Sequence, residues 1–201
     1  MFAELLRQKL HGIISLTADQ LQALEAHYQL LLRWNRILNL TSVTSLDEAV
    51  ERHYCESVFL AVHLPPSPLR ILDIGSGAGF PGIPVAILRP DCSVNLLESH
   101  ARKAVFLREA TRHFRNVRVN AVRGEALAET FECAVSRAVS YRDLAPILKR
   151  ISGHADLLTG IEDPPAELGF EWHAPTPLPW GRQRFLRIGV PRETLDDFRF
   201  T

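Results

Sequence analysis

The chain has 201 residues, 46% of them hydrophobic, which is enough to bury one core and a small extension. It contains no long apolar span, and Met1 to Leu10 is too charged for a signal peptide, so we expect a cytoplasmic protein without membrane segments. The three cysteines are widely spaced, and the eight histidines show neither H-x-x-x-H nor paired Cys/His spacing, so no metal site is predicted.

The charges cancel overall but are unevenly distributed. Equal numbers of basic and acidic residues, 23 of each, argue at first against a nucleic acid partner. A local basic face can nevertheless bind phosphates while acids elsewhere cancel the total. The candidate cluster is Arg102, Lys103, Arg108, Arg112, Arg115, Arg118 and Arg123. A solvated helix in an arginine-rich protein explains the same cluster equally well, and both interpretations stay open.

The first third of the chain is predicted to be helical. Thr17 opens one long helix through a capping box, and Ser45 repeats the device before a second helix, Leu46–His63. These helices are expected to form a cap on a sheet domain. We therefore predict an N-terminal helical cap over residues 1–64 and a second domain over residues 65–201.

Strands and helices alternate in the rest of the chain. This alternation predicts a largely parallel sheet with ligands at the carboxyl ends of its strands. The predicted strands are Leu69–Ile74, Val94–Glu98, Val117–Val122, Cys133–Ser136, Ala155–Thr159, Phe170–His173 and Arg184–Val190. The predicted helices between them are Gly82–Leu88, Ala101–His113 and Arg142–Arg150.

A glycine-rich loop directly follows the first predicted strand. Gly75, Gly77 and Gly79 lack Cβ atoms, so the backbone can turn sharply and a ligand can lie against it. A dinucleotide fingerprint, G-x-G-x-x-G, is not met from Gly75, because the third glycine arrives one residue early. The G-x-G-x-G form after a strand that carries Asp73 suits S-adenosylmethionine better. A nicotinamide-dependent dehydrogenase stays as an alternative.

Glu98, at the end of the second strand, strengthens this interpretation. It lies a little over twenty residues beyond the first glycine, where an acid can accept hydrogen bonds from both ribose hydroxyls. A plain Rossmann-type loop with a surface glutamate is the simpler explanation, but loop and acid together disfavour it. The sequence predicts an α/β, Rossmann-type fold of S-adenosylmethionine-dependent methyltransferases, with a mostly parallel seven-stranded sheet and an N-terminal helical extension.

Two later strand ends carry useful chemistry. Gly124 and Glu125 follow the third strand and can present backbone groups or a carboxylate to the adenine ring. Arg137 ends the fourth strand, where the methyl group and its acceptor should meet, so we predict it as a catalytic and cofactor-binding residue. An arginine there can bind a phosphate, a cofactor carboxylate or a neighbouring acid. A salt bridge that stabilises the sheet edge is an equally good explanation.

Several motifs, taken in chain order, form a recognisable set. They are Asn39-Leu40-Thr41, Arg52-His53 with Glu56-Ser57, the run from Leu72 to Pro84, Leu97-Glu98-Ser99, Lys103 with Phe106-Leu107, and Ser136-Arg137-Ala138. Together they resemble the bacterial ribosomal RNA small subunit methyltransferase G family, also called GidB, over about residues 30–150. The glycine run and the later Ser-Arg-Ala are specific only in combination.

The resemblance implies an enzyme that methylates N7 of guanine-527, in the 530 loop of 16S ribosomal RNA, as free RNA or within the 30S subunit. It implies that Gly75 and Phe80 line the S-adenosylmethionine site, that Gly124 and Glu125 contact the adenosine part, and that Arg137 closes the site. Speculative RNA contacts are Trp34, Asn39, Arg52, His53 and Arg184. A helix end at Asn39 and a structural hydrogen bond at His53 are simpler roles, and a monomer is the default expectation.

The chain also departs from the family pattern. Thr159 stands where the family usually has a lysine, Glu56 replaces a typical aspartate, and the tail from Trp180 to Phe185 only loosely matches a Gly-x-Arg-His ending. The missing lysine puts substrate binding in doubt. Two alternatives therefore stay open: a methyltransferase for a small molecule, which the neutral net charge favours, and a cofactor-binding protein with weak or lost catalysis.

Overall fold

The computed structural model describes residues 1–192 of the chain. Residues 193–201, which the second predicted domain includes, lie outside the described residues. The helices are α1 (Phe2–Lys9), α2 (Ala18–Leu38), α3 (Leu46–Ala49), α4 (Glu56–His63), α5 (Gly82–Leu88), α6 (Ala101–Ala110) and α7 (Tyr141–Leu148). The strands are β1 (Arg70–Ile74), β2 (Ser93–Leu97), β3 (Val117–Asn120), β4 (Phe131–Arg137), β5 (Ile151–Thr159), β6 (Phe170–Trp172), β7 (Thr176–Pro177) and β8 (Phe185–Pro191).

Seven strands lie side by side in the order β3-β2-β1-β4-β5-β8-β6, and the short β7 pairs with β8 outside this row. The first five strands are parallel to one another, whereas β8 runs antiparallel to β5. The predicted fold class, a mostly parallel sheet with a helical extension, is confirmed. The sequence missed β7, since two residues are too short to show a periodicity.

The helices at the start of the chain form where the sequence predicts them. The Thr17 hydroxyl oxygen accepts a hydrogen bond from the Gln20 amide, and the Gln20 side chain accepts one from the Thr17 amide. These two bonds form the predicted capping box. Asn39 ends α2 in the left-handed conformation, with a φ of 47°. The second predicted helix is interrupted, because Val50–Cys55 winds as a π-helical turn between α3 and α4. Such turns are rare and occur frequently at functional sites.

The helical extension packs on one face of the sheet. Buried side chains of α2 and α4 join those of β1 and β2 in a single apolar cluster, in which Leu24 and Leu60 meet Ile71 and Val94. The opposite face is covered by α7, through Leu144 and its neighbours. Residues 1–64 thus share a core with the sheet, and their standing as a separate domain stays a prediction. Within residues 1–192, no helix is long and apolar enough to cross a membrane.

Candidate active site

A cavity of about 470 Å³ opens at the carboxyl ends of β1, β2 and β3. Its position is the one that the alternation of strands and helices predicts for a ligand. The lining residues are Ile74, Gly75, Leu97, Glu98, Ser99, Val122, Arg123, Gly124, Glu125, Val139, Arg142, Asp143, Pro146 and Ile147. Four of the predicted cofactor residues are among them: Gly75, Glu98, Gly124 and Glu125.

The glycine loop is attached to β2 through backbone groups. The amides of Gly75 and Ser76 both donate to the Leu97 carbonyl oxygen, each at 3.0 Å. Beyond the strand, Glu98 accepts from the Gly77 amide at 3.0 Å and from the His100 amide at 2.7 Å. These four bonds fix both the loop and the carboxylate at the cavity mouth. Only 8% of Glu98 is exposed.

Glycine is required at two points of this cavity. Gly75 has a φ of +71°, and a Cβ atom there would lie 2.6 Å from Cγ2 of Val139. A Cβ atom on Gly124 would collide with the side chain of Ile147. The loop and the turn after β3 can therefore pack closely against Val139 and Ile147 only because both positions lack a side chain.

Three other predicted cofactor residues support the loop from behind. Asp73 is fully buried, and its Oδ2 accepts from the Gly82 amide at 3.0 Å. Burial is the main cause that raises the pKa of Asp73 to about 7. A Cβ atom on Gly79 would collide with Ile83 of α5, and Phe80 is buried against the cap. In this structure these side chains shape the loop and do not line the cavity.

A second cavity, of about 460 Å³, lies beside the first at the ends of β4 and β5. Val139 lines both cavities and forms part of the wall between them. The lining residues of the second cavity are Ala138, Val139, Ser140, Tyr141, Leu158, Thr159, Gly160, Ile161, Glu162 and Arg184. A small ligand in the first cavity and an acceptor in the second would thus be neighbours.

Arg187 of β8 holds the loop after β5 in place. This arginine is only 4% exposed. Its guanidinium donates to Thr159 Oγ1 at 3.0 Å and to the Ile161 carbonyl oxygen at 3.3 Å, and it forms an ion pair with Asp163 at 2.6 Å. The hydroxyl of Tyr141 adds a bond of 2.8 Å to the Glu162 carbonyl oxygen. The loop is therefore fixed, and Glu162 of this loop is one of the residues that line the cavity.

Arg137 connects the sheet to the cap. Its guanidinium donates to the carbonyl oxygen of Arg52 and, at 2.8 Å, to Nδ1 of His53, and lies 4.0 Å from Oε2 of Glu56. Burial is the main cause that lowers the pKa of Arg137 to about 10. In the described part of the chain, Arg137 does not line either cavity. Its position fits the alternative of a salt bridge at the sheet edge, and a catalytic role stays a prediction.

The tautomer of His53 follows from its partners. Because Arg137 can only donate, Nδ1 of His53 accepts, and Nε2 carries the proton and donates to Thr41 Oγ1 at 2.8 Å. Burial first, and then Arg137 and Arg52, lower the pKa of His53 to about 3. The ring stacks on Phe80, with 4.7 Å between the centroids. This neutral histidine is 2% exposed and links the cap to the glycine loop.

A family model decides the identity of the chain. The model described as rRNA small subunit methyltransferase G, GidB, matches residues 20–154, more than half of the chain. The chain belongs to this family. The GidB family is a family of S-adenosylmethionine-dependent methyltransferases, so the predicted family and the predicted cofactor are both confirmed at family level.

Individual relatives agree with this assignment. A ribosomal RNA small subunit methyltransferase G of Halorhodospira halophila is 38% identical over 148 residues, which is 72% of this chain and 68% of that protein. The enzyme of the same name from Xylella fastidiosa is 44% identical over 135 residues, which is 64% of this chain and 63% of that protein. The matching segment thus spans about two thirds of the length of these GidB proteins.

Solved structures support the fold. A SAM dependent methyltransferase from Aquifex aeolicus superposes with a TM-score of 0.57 at 14% identity, over 72% of this chain and 93% of that one. A methyltransferase from Pyrococcus furiosus also gives a TM-score of 0.57 at 14% identity, over 83% of this chain and 96% of that one. At such identities the likeness shows the fold alone.

The residues predicted to contact RNA in this GidB protein lie in different surroundings. Asn39 and Arg52 are exposed, and Arg52 pairs with Glu48 at 2.5 Å. Trp34 is half-buried, with its ring 5.9 Å from that of Phe106. The remaining two, His53 and Arg184, belong to the contact between cap and sheet. The RNA-binding role of all five stays a prediction.

Sequence reasoning missed several residues that build the site. His27 of α2 bonds to the Ala78 carbonyl oxygen of the glycine loop at 3.1 Å and to the Tyr54 hydroxyl at 2.9 Å, yet a lone histidine in a helix gives no signal. Glu162 and Arg187 were missed as well. The one available signal was position, because Glu162 closely follows the carboxyl end of a predicted strand.

Proposed function

We propose that the chain transfers the methyl group of S-adenosylmethionine to N7 of a guanine in 16S ribosomal RNA, the guanine-527 that the family resemblance implies. The observation that carries this proposal is the pair of cavities that meet at Val139, at the carboxyl ends of the strands. One cavity suits the cofactor and the other suits a base, and transfer requires the two ligands to be neighbours.

The first cavity fits S-adenosylmethionine in size and in donor chemistry. Its volume of about 470 Å³ is in the usual range for sites of small ligands. Glu98 would accept hydrogen bonds from the ribose hydroxyls, and Gly124 with Glu125 would contact the adenine ring. Gly75 leaves room for the backbone to approach the cofactor closely. When bound, the cofactor supplies an electrophilic methyl group.

Two side chains of the second cavity, Glu162 and Arg184, suit the recognition of a guanine. Guanine presents two neighbouring donors on its Watson–Crick edge, N1–H and the 2-amino group, and the Glu162 carboxylate can accept from both. Adenine and cytosine lack an N–H at the corresponding ring position, so the same carboxylate would disfavour them. Arg184, which also lines this cavity, can donate to O6 or to a phosphate. N7 then stays free to face Val139 and the methyl group.

The proposed reaction requires no general base. Guanine N7 already carries an in-plane lone pair, so its attack on the methyl group needs no prior deprotonation. The chain therefore has to hold N7 in line with the bond that breaks, at about 3 Å from the methyl carbon, and such positioning alone contributes several kcal/mol. The rigid loop after β5, fixed by Arg187 and Tyr141, is suited to this task.

Basic side chains near both cavities would bind the RNA backbone. Arg123 and Arg142 line the first cavity and Arg184 lines the second. Phosphate contacts through these arginines should make RNA binding weaken steeply as the salt concentration rises. A small molecule as acceptor would show little such dependence.

The test is transfer of labelled methyl from S-adenosylmethionine to 30S subunits that lack the modification, followed by mass mapping of the RNA. The expected result is a single 7-methylguanine in the 530 loop, with a rate that falls as salt rises. Cofactor binding without RNA labelling would favour a small-molecule acceptor or lost catalysis. Absence of cofactor binding would overturn the proposal as a whole.

A further inference from the structure

Three metal-binding side chains meet on β4 and β5, away from both cavities. Cys133 of β4 is paired in register with His154 of β5, and Asp156 lies two residues further along β5, on the same face as His154. One donor atom of each residue lies within 4.8 Å of the others. None of the three lines a cavity described above, so the cluster is not part of the proposed active site.

The cluster leaves buried polar atoms without partners. His154 Nδ1 and Asp156 Oδ1 are 2.8 Å apart. The other two polar atoms of this pair, His154 Nε2 and Asp156 Oδ2, are buried and have no hydrogen-bond partner among the described residues. Asp156 is fully buried, and His154 is its one ion-pair partner within residues 1–192. A carboxylate in such surroundings is costly unless a positive charge accompanies it.

We propose that Cys133, His154 and Asp156 bind a divalent transition metal ion, with zinc as the best fit. Thiolate sulfur, imidazole nitrogen and carboxylate oxygen are the three donor types that zinc takes in proteins. The charges also balance, because a Zn²⁺ ion with one thiolate, one carboxylate and one neutral imidazole is electrically neutral. On binding, the Cys133 thiol releases its proton to solvent and the sulfur takes the metal in its place.

The position of the cluster indicates a structural role. The three ligands lie near the middle of two adjacent central strands, and the metal would connect β4 to β5 where apolar side chains usually do so. The side chain of His154 is 13% exposed, but its Nε2 atom is buried, as are Cys133 and Asp156. Three protein ligands leave the fourth position of a tetrahedral zinc to a water molecule.

Sequence motifs do not reveal this site, because the three proposed ligands are not in a familiar spacing. Cys133 is remote from His154 in the chain, and His-x-Asp on its own is common. The parallel pairing of β4 with β5 brings the three donors together. Because these three residues line neither cavity, metal binding can be measured independently of methyl transfer.

The experiment measures metal binding by the full chain. The metal-free protein is titrated with Co²⁺, and absorption from thiolate-to-cobalt charge transfer is recorded, followed by displacement with Zn²⁺ and elemental analysis. We expect one metal per chain and a charge-transfer band that Cys133→Ser abolishes. Cys92→Ser is the matched control, because Cys92 is also buried but lies outside the cluster, and it should keep the band.

A second variant protects the test against misfolding. His154→Gln replaces the partly exposed ligand, and we expect it to lower metal affinity at least tenfold while the metal-free protein keeps its fold by circular dichroism. Zinc should raise the melting temperature of the parent chain and of Cys92→Ser, but not of Cys133→Ser or His154→Gln. Metal content well below one per chain, or a charge-transfer band that survives Cys133→Ser, would leave the His154–Asp156 contact as a hydrogen-bonded pair alone and overturn the proposal.

Discussion

The two cavities are held in shape by different means. Around the first, the fixed groups are mainly backbone amides and carbonyls, as in the bonds from Gly77 and His100 to Glu98. Around the second, the main contacts come from charged side chains, since Arg184 pairs with Glu56 at 2.5 Å and Arg187 holds the loop after β5. The first cavity should therefore tolerate side-chain changes but not the loss of glycine, whereas the second should depend on buried charge.

The largest effect should come from Glu56→Gln, which removes a carboxylate that two arginines share. Glu56 is 1% exposed, and its loss takes this ion-pair partner from both Arg137 and Arg184 at the contact between cap and sheet. We expect the free energy of unfolding to fall by about 3 kcal/mol, the usual cost of breaking a buried ion pair. Urea denaturation followed by circular dichroism measures this change.

Glu132→Gln is the control for that variant. Glu132 also pairs with an arginine, Arg70, at 3.0 Å, but both side chains are about half exposed. Solvent screening should limit its contribution to less than about 1 kcal/mol. Equal losses in the two variants would mean that burial does not strengthen the Glu56 pairs, and the contrast between the cavities would fail.

The backbone-built cavity is tested next by Gly75→Ala. Here the new Cβ atom would lie 2.6 Å from Val139, which lines the first cavity, and φ is positive. We expect the kcat/KM of methyl transfer to fall about 100-fold, equivalent to about 3 kcal/mol, mainly through weaker cofactor binding. Rate measurements at varied S-adenosylmethionine concentration, with binding by calorimetry, separate the two contributions.

Gly169→Ala provides the matched control, because it shares the backbone strain without the collision. Gly169 has a φ of +80°, and a Cβ atom there would have no neighbour within 4 Å. Both variants should lose about 1–2 kcal/mol of stability from the left-handed backbone. If Gly169→Ala also lost most of its activity, strain rather than cavity shape would explain the effect of Gly75→Ala.

The same contrast explains what sequence could predict. The first cavity is lined by short segments that directly follow predicted strands, so a strand, three glycines and Glu98 were visible as local patterns, and the structure brings Gly75, Glu98, Gly124 and Glu125 together. Strand and helix positions follow from periodicity for the same reason. Ends differ by a few residues, as where β5 begins at Ile151 rather than at the predicted Ala155.

The contacts that hold the second cavity could not be predicted, because they join side chains that are far apart in the chain. Arg184 meets Glu56, and Arg137 meets His53 across 84 positions of the chain, and no local pattern encodes such contacts. The burial of His53 likewise depends on the π-helical turn, which turns this residue toward Phe80. Packing between distant elements, not propensity, decides these features.

A pH experiment tests the connection between the cap and the glycine loop. Burial lowers the pKa of His27 to about 4, from an ordinary value of 6.5. Between these values the unfolded chain binds a proton at this position and the folded chain does not. Stability is therefore fully present above pH 6.5 and is lost as pH falls, by about 1.4 kcal/mol per pH unit for this group.

His27→Gln should remove that dependence while its amide still donates to the Ala78 carbonyl oxygen. The lowered pKa of His53 also makes stability fall as pH falls. The pKa of Asp73 is raised to about 7, so Asp73 has the opposite effect on stability. Both stay in the variant, so the difference between the two curves isolates His27. From pH 6 to pH 4.5 that difference should change by about 2 kcal/mol in urea denaturation. Two parallel curves would contradict the neutral form of His27.

The smallest effect should be the one that Glu162 exerts on base recognition. Inosine lacks the 2-amino group of guanine, so subunits reconstituted with inosine at the target position lose one of two donors to this carboxylate. For the parent chain we expect kcat/KM to fall about tenfold, the value of one hydrogen bond to a charged group. Glu162→Gln should already have a lower kcat/KM on guanine than the parent chain. Replacing guanine by inosine should then lower the kcat/KM of this variant only slightly further.

This double comparison separates recognition from folding and from the proposed reaction itself. Glu167→Gln, at an exposed glutamate outside the second cavity, should keep the tenfold preference of the parent chain for guanine over inosine. If inosine slowed Glu162→Gln as much as it slows the parent, the carboxylate would not contact the 2-amino group, although guanine methylation would stand. If the parent did not methylate guanine at all, the proposed function would fail before Glu162 was tested. A preference that disappears with Glu162 alone would show that a side chain, rather than backbone, selects the acceptor in the second cavity.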